Sequence, residues 1–316
     1  MPLAAEWQWG LYGTAVHGKH ILETGSKTRD ANGFAGGSRL TYPRYFSAPG
    51  VRGRYSTHNW LVDLNYQLTN GSQRSGTARN EDFALYENST IRSSGWDLRT
   101  GRYRDTPYTI NGSRNFADAS GKSDLQYQDL EVNIDWYPWQ SDDAPQSGFF
   151  LGTGLHYSYQ KYQVYDVIQY LRLVNGFFLG PIGVGNSFSS VEWEFPLGFG
   201  YQWHLEQLYI KAALYMNTGI NTGRDHHKQR NITFLIQDAS GSGIQYNLEL
   251  GYQMDAESPY TLFARYQGRH YYSRGTIQIR GGLGGEYLLQ YTGIRQGVRI
   301  SRKETMLSSG FLFSIP

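Results

Sequence analysis

No cysteine occurs in the 316 residues, so disulfides, thiol catalysis and thiolate-bound metals are excluded, and His, Asp and Glu remain the strong candidate ligands. Charge of one sign is also lacking. With 29 Lys and Arg against 27 Asp and Glu, the net charge is only +2, and no nucleic-acid-binding motif accompanies it, so nucleic acid is not an expected partner. No apolar run approaches the roughly 18 residues of a spanning helix. The longest is the interrupted NGFFLGPIGVG at 175–185, which excludes a helical membrane protein. The opening MPLAAEWQWG lacks both a basic n-region and an apolar h-region. It reads as a mature form carrying an initiator Met.

Low hydropathy, with a mean of -0.55, does not exclude a membrane. A transmembrane barrel shows lipid only every second residue and fills its lumen with polar groups. What is abundant fits that class: 26 Tyr, 8 Trp and 15 Phe, the residues of bilayer interfaces, and 38 Gly. The period is two. In DLEVNIDW, Leu130, Val132, Ile134 and Trp136 alternate with Asp129, Glu131, Asn133 and Asp135. The same alternation puts Phe149, Leu151, Leu155, Tyr157 and Tyr159 on one face, and Leu208, Ile210, Ala212, Leu214 and Met216 on another. Apolar-out, polar-in alternation over such lengths is the pattern of a barrel wall.

Short turns are expected near 55–59, 140–147, 202–206 and 254–259, and long connections at 24–37, 76–122, 167–187, 223–230 and 280–286. Four short turns and five long connections imply an all-β fold: a ten-stranded antiparallel transmembrane β-barrel occupying 1–316 as one domain, with both termini at the short-turn end. Several strands read as longer than the 9–11 residues that span a bilayer, so the walls should extend above the outer membrane. SGFLFSIP, with Phe311, Phe313 and Ile315 alternating, reads as the last strand.

Ten strands, tall walls and an Asp-x-His at the top of the seventh strand resemble the omptin family of outer-membrane endopeptidases, and the likeness runs through most of the chain. SDLQYQDLEVNIDWYPW, FFLGTGLHYSYQKYQVY, WEFPLGFGYQW and the Asp225 region follow in family order. The resemblance implies an omptin-like ten-stranded barrel in the Gram-negative outer membrane, its active face extracellular, cleaving peptides or proteins at the cell surface near basic residues. It implies an aspartyl-type site in which Asp225 and His227 activate water, opposed by two acids that map to Asn80 and Asp82. Only one of those two carboxylates is kept. It further implies Glu23 as a substrate-binding acid, with Gly223 where the second would stand. For the family's lipopolysaccharide contact it implies Lys161 with Tyr157 and Tyr159 on the outer wall, with Glu192 at the family's second basic position. Partners would then be outer-membrane lipid, lipopolysaccharide and the substrate. No cofactor is expected, lipopolysaccharide being the one candidate for a component that activity requires.

Read without the family, parity turns Asp225 and His227 inward and His226 outward. A carboxylate against the imidazole fixes its tautomer and raises its basicity, which suits a general base, while a solvated hairpin tip explains the same residues. Asn80 and Asp82 fall on the parity of the lipid-facing Trp60, Val62 and Leu64. They reach the lumen only if a bulge resets the register, for which TNGSQRSG is suited. Adjacent His226 and His227 point apart and lack a third ligand, so no metal is expected. Arg265, Arg269, His270 and Arg274 read as lumen-lining partners of Asp129, Glu131 and Asp135. GGLGGEY at 281–287 follows no strand-to-helix pattern and reads as a loop. The alternatives are a non-enzymatic surface-binding or envelope-assembly barrel that keeps the scaffold without its full site, and a narrow pore.

Overall fold

A computed structural model describes residues 6–26, 36–84, 89–97, 102–110, 114–139, 146–171, 176–180, 182–228, 231–254, 259–281 and 293–315. The strands are β1 (Glu6–Ser26), β2 (Gly36–Ser56), β3 (Trp60–Leu68), β4 (Gln73–Ala84), β5 (Ser89–Asp97), β6 (Arg102–Ile110), β7 (Arg114–Trp136), β8 (Gly148–Leu171), β9 (Gly176–Leu179), β10 (Val184–Leu205), β11 (Leu208–His227), β12 (Ile232–Gln253), β13 (Tyr260–Gly281) and β14 (Gly293–Ile315). β3 and β4 both lie between β2 and β7, so they are two halves of one wall position. β5, β6 and β9 form a separate flap carried on β8. The remaining pairings run β1 to β2, through β3 and β4 to β7, β8, β10, β11, β12, β13 and β14. Antiparallel pairing of β14 with β1 closes a ring of ten wall positions.

Closure removes the free edges of the wall, so its backbone donors and acceptors pair within the sheet over most of its length, as a hydrocarbon solvent demands, while residues 42–49 of β2 have a strand partner on the β1 side alone. The outer face is apolar and ends in aromatic residues. Along β1 the exposed residues run Trp7, Trp9 and Leu11, and along β10 Trp203, Tyr201, Phe199, Leu197, Phe195 and Trp193. From Trp7 to His17 a strand rises about 33 Å, or roughly 25 Å along the axis after a 35–45° tilt, which matches a bilayer core. Strands of 21 to 24 residues, such as β2 and β8, therefore continue well beyond that band. The connections β2–β3, β7–β8, β10–β11 and β12–β13 lie at one end. The other connections lie at the opposite end, where the one expected to be long at 223–230 is short, because β11 runs to His227 and β12 begins at Ile232.

The expected turns fall where the strands turn, with local corrections. The 202–206 turn is tighter than expected, because β10 runs to Leu205 and Glu206, at φ 54°, carries the reversal. The stretch at 76–122 is not one loop: β4 and the start of β7 are wall, and β5 and β6 pair between them. The sparse alternation in GTARN and the paired Gly and Ser residues hid these strands. Parts of the long connections, including Gln229, Arg230 and 282–292, lie outside the described residues.

The lumen is filled in layers. Nearest the short turns, Arg52 and Arg54 lie between Asp63 and Glu249, with Arg52 to Glu249 at 2.8 Å and Arg54 to Glu249 at 2.7 Å. Lys211 pairs with Asp135. Above them Arg269 binds Glu131 at 2.9 Å and Asp129 at 3.4 Å, and His156 contacts Asp129 and Glu194. Next, Arg302 meets Glu192 at 2.6 Å, Glu194 and Glu304, while Arg44 meets Glu304 at 2.7 Å. Such buried charges persist only when paired and hydrogen-bonded. Beyond the apolar band an apolar layer closes the barrel, in which Tyr42, Tyr162 and Phe188 stack with centroids 4.6 to 6.2 Å apart among Leu22, Leu40, Ile236 and Ile279. A cavity of about 20 Å³ among Asp63, Lys211, Glu249 and Arg265 has room for about one water.

Parity corrects two lumen assignments. Arg265 and Arg269 are buried inside, but His270 and Arg274 are exposed on the outer face, because residues an odd number apart on an unbroken strand face opposite ways.

Candidate functional site

The site is built at the mouth of the long-connection end, above the apolar layer. β11 supplies one side. Asn217, Asn221 and Asp225 continue its buried inward face, and His227 follows on the same face, about one-fifth exposed. His227 Nε2 lies 2.9 Å from Asp225 Oδ2, and the imidazole meets Phe234 edge-on at 5.3 Å. Asp225 is fully buried, and its Oδ1 has no partner among the described residues. His226, opposite Ser187 on β10, points away from the lumen.

β4 supplies the other side. Gly76, at φ 127°, sits in a register shift between Arg74 and Gly76, a backbone conformation that suits glycine. The shift exchanges the faces: Asp63, Asn65, Gln67 and Ser75 are inward before it, and Ala78 is inward after it. Asn80 and Asp82, opposite Leu40 and Ser38 on β2, therefore face the lumen. Asn80 Nδ2 donates to Asp82 Oδ1 at 3.0 Å, and Ser38 Oγ donates to the same oxygen. Glu81 takes the outer face, 3.7 Å from Arg39.

The two sides are tied together just below. Asn186, opposite His227 on β10, donates to the Tyr42 hydroxyl on β2 at 3.3 Å. Burial, then the negative charge of Asp225, raises the Tyr42 phenol well above its ordinary value, so it stays neutral.

The remaining expectations fare differently. Glu23 is on the outward parity of β1, where Arg39 holds it at 2.7 Å, so it does not open into the lumen. The strand's parity, which the family position overrode, decides this. Gly223 does face the lumen, but a side chain there would meet the Ser189 carbonyl oxygen at 3.0 Å, Ile236 Cδ1 at 3.2 Å and Phe188 Cε2 at 3.4 Å, so the position is closely packed. Tyr157, Tyr159 and Lys161 share the outer face of β8, with Tyr157 4.7 Å from Trp193. Glu192, expected beside them at the outer wall, is instead fully buried in the lumen on Arg302. Tyr42, Asn186 and Phe188 were not anticipated as neighbours of the site. Only closure of the ring brings β2 against β10, and no spacing in the sequence signals it.

A family model described as "Putative porin" matches residues 27–295. The chain belongs to that family. No curated protein matches it. Among solved structures, the outer membrane protease OmpT from Escherichia coli is similar with a TM-score of 0.69 at 11% identity, covering 99% of each chain. At that identity the likeness shows the fold, a barrel of the outer-membrane type. The translocator domain of the autotransporter NalP from Neisseria meningitidis has a TM-score of 0.37 at 8% identity, covering 96% of this chain and 88% of its own. OprG from Pseudomonas aeruginosa has 0.30 at 9%, covering 97% and 96%. Membership in a family described as porins sits beside a lumen that, among the described residues, is closed by paired charges and an apolar layer.

Proposed function

We propose that this barrel is an outer-membrane peptide hydrolase whose mouth faces the cell exterior. The observation that carries the reading is the placement of an Asp-His pair at 2.9 Å and an Asp-Asn pair at 3.0 Å on the lumen faces of β11 and β4. With Nε2–H donating to Asp225, Nδ1 of His227 is the free base that takes a proton from water as the oxygen attacks a peptide carbonyl. Both described contacts of Asp82 use Oδ1, which leaves Oδ2 to hold that water. The proton on His227 then passes to the leaving amine, so the step balances without a cofactor. Neither position expected to favour a basic side chain places a carboxylate in this mouth, since Glu23 is outward and Gly223 has no side chain. Preference for Arg or Lys is therefore not part of the proposal.

The test is turnover of a broad fluorogenic peptide library by the purified barrel in lipopolysaccharide micelles. His227→Ala should lower kcat/KM by about 10²–10⁴. Unchanged turnover in that variant removes the proposed base. The second reading is a non-enzymatic envelope component, favoured by Asn80, which places an amide where a second carboxylate would add charge. Absence of turnover on the whole library, with a stable protein partner recovered, would establish it instead.

A further inference from the structure

We infer that the outer face of the β13–β14–β1 wall carries a binding site for the phosphate groups of a membrane lipid headgroup. Lys19 on β1 lies directly opposite Lys303 on β14, and His270 on β13 lies opposite Lys303 from the other side. Two outward positions further from the membrane, Arg274 on β13 lies opposite Arg299 on β14. All five point away from the lumen, whose side of the same strands is taken by the buried His20, Arg302, Tyr271 and Ser273.

Like charges set opposite one another destabilise a sheet by up to about 1 kcal/mol per pair. Among the described residues nothing in the wall offsets that here. Among the described residues, Lys19, Lys303 and Arg299 have no carboxylate partner, and Glu23, the acid opposite Arg299, is held by Arg39 on its far side. Arg274 Nε donates to the Tyr272 hydroxyl, and its guanidinium lies 5.4 Å from that ring. The pinned guanidinium keeps its two terminal nitrogens for an anion. Neighbouring strands are about 4.8 Å apart, so the five donors cover a patch on the order of 10 Å wide, large enough for more than one phosphate.

Height selects the source of the phosphate. On the same face Leu307 and its partner Tyr266 lie two outward positions below Lys303 and His270, Ile244 lies directly opposite His270, and Leu11 lies further down β1, all exposed. The row thus begins where the apolar band ends, at the level of lipid headgroups, with an acyl-chain surface continuous beneath it. A free anion would use only the cations, whereas a lipid uses both surfaces. The patch is on a different side of the ring from Lys161, Tyr157 and Tyr159 on β8, and it does not depend on the hydrolase reading.

The test titrates the purified barrel in detergent micelles with fluorescent bis-phosphorylated lipid A. Lys19→Gln with Lys303→Gln should raise Kd at least tenfold, about 1.4 kcal/mol. The pair Lys19→Arg with Lys303→Arg should bind like the wild type. Arg274→Gln with Arg299→Gln reads the same patch should the first pair fail to fold, and circular dichroism reports folding for each. Equal Kd in the wild type and either folded glutamine variant overturns the proposal. So does equally tight binding of a dephosphorylated lipid, or displacement of the probe by inorganic phosphate at comparable concentration, which would mark a free-anion site.

Discussion

Asn80 and Asp82 face the lumen side by side, the amide of the first donating to the carboxylate of the second at 3.0 Å. The omptin pattern sets two carboxylates at these positions. Here the bulge at Gly76 preserves their direction while the side chain at Asn80 supplies a donor in place of the second negative charge. In the proposed site both side chains thus face inward while one of the two charges is replaced by an amide. That separation of shape from charge makes the site testable one atom at a time.

Asn80→Asp restores the second charge without altering size. Two carboxylates two residues apart on one face share a proton more readily than either alone, which suits holding and polarising water. Turnover of the peptide library should rise by about tenfold in kcat/KM, a gain of roughly 1.4 kcal/mol in transition-state binding. A folded variant with unaltered turnover would show that Asn80 does not limit the reaction.

The packed lumen predicts a barrel that does not conduct. Ten strands leave an interior that side chains can fill, and the layers from Arg52 up to Tyr42 fill it. Single-channel recording in a planar bilayer should show no open steps from the wild type. Steady conductance in the wild type would mean that the layers part, and would favour the pore function that the family description names.

Arg302 faces three buried carboxylates, Glu192, Glu194 and Glu304. Arg302→Met leaves them without their shared cation, and breaking a buried ion pair from one side costs about 3–5 kcal/mol. The urea midpoint of the barrel in micelles should fall accordingly. Replacing Arg302 and Glu194 together by apolar residues should recover part of the loss. A midpoint unmoved by Arg302→Met would mean that water enters this layer.

His20 lies beyond the His17 end of the apolar band, edge-on to Phe188 at 5.2 Å and to Tyr162 at 6.0 Å. Burial, followed by the nearby Arg44 charge, lowers its pKa to about 3. The unfolded chain, with the ordinary value near 6.5, binds a proton that the folded barrel refuses. The stability owed to neutral His20 is therefore fully present above about pH 6.5 and is lost as pH falls toward 3. In His20→Leu the unfolding midpoint should fall less steeply over that window. Identical slopes in the two proteins would contradict the assignment.

Much of this architecture is legible in a period of two. Alternation in DLEVNIDW or LYIKAALYM is forced by the pleat, so the lipid and lumen faces, the ten wall positions and the inward turn of Asp225 and His227 follow from local geometry alone. The unequal connections follow from turn chemistry in the same way. The bulge that turns Asn80 and Asp82 inward could be named as a requirement, and its place within TNGSQRSG is marked by glycine. What the chain order could not decide is which walls touch. Tyr42 meets Asn186, and Glu192 meets Arg302, only because β14 closes on β1 and presses distant strands together across the lumen. Glu23 faces outward for a related reason. A family position carries a residue's place along the strand, whereas its face is set by parity, and on β1 that parity gives Glu23 to Arg39 and leaves the neighbouring cations of the outer wall without an acid among the described residues.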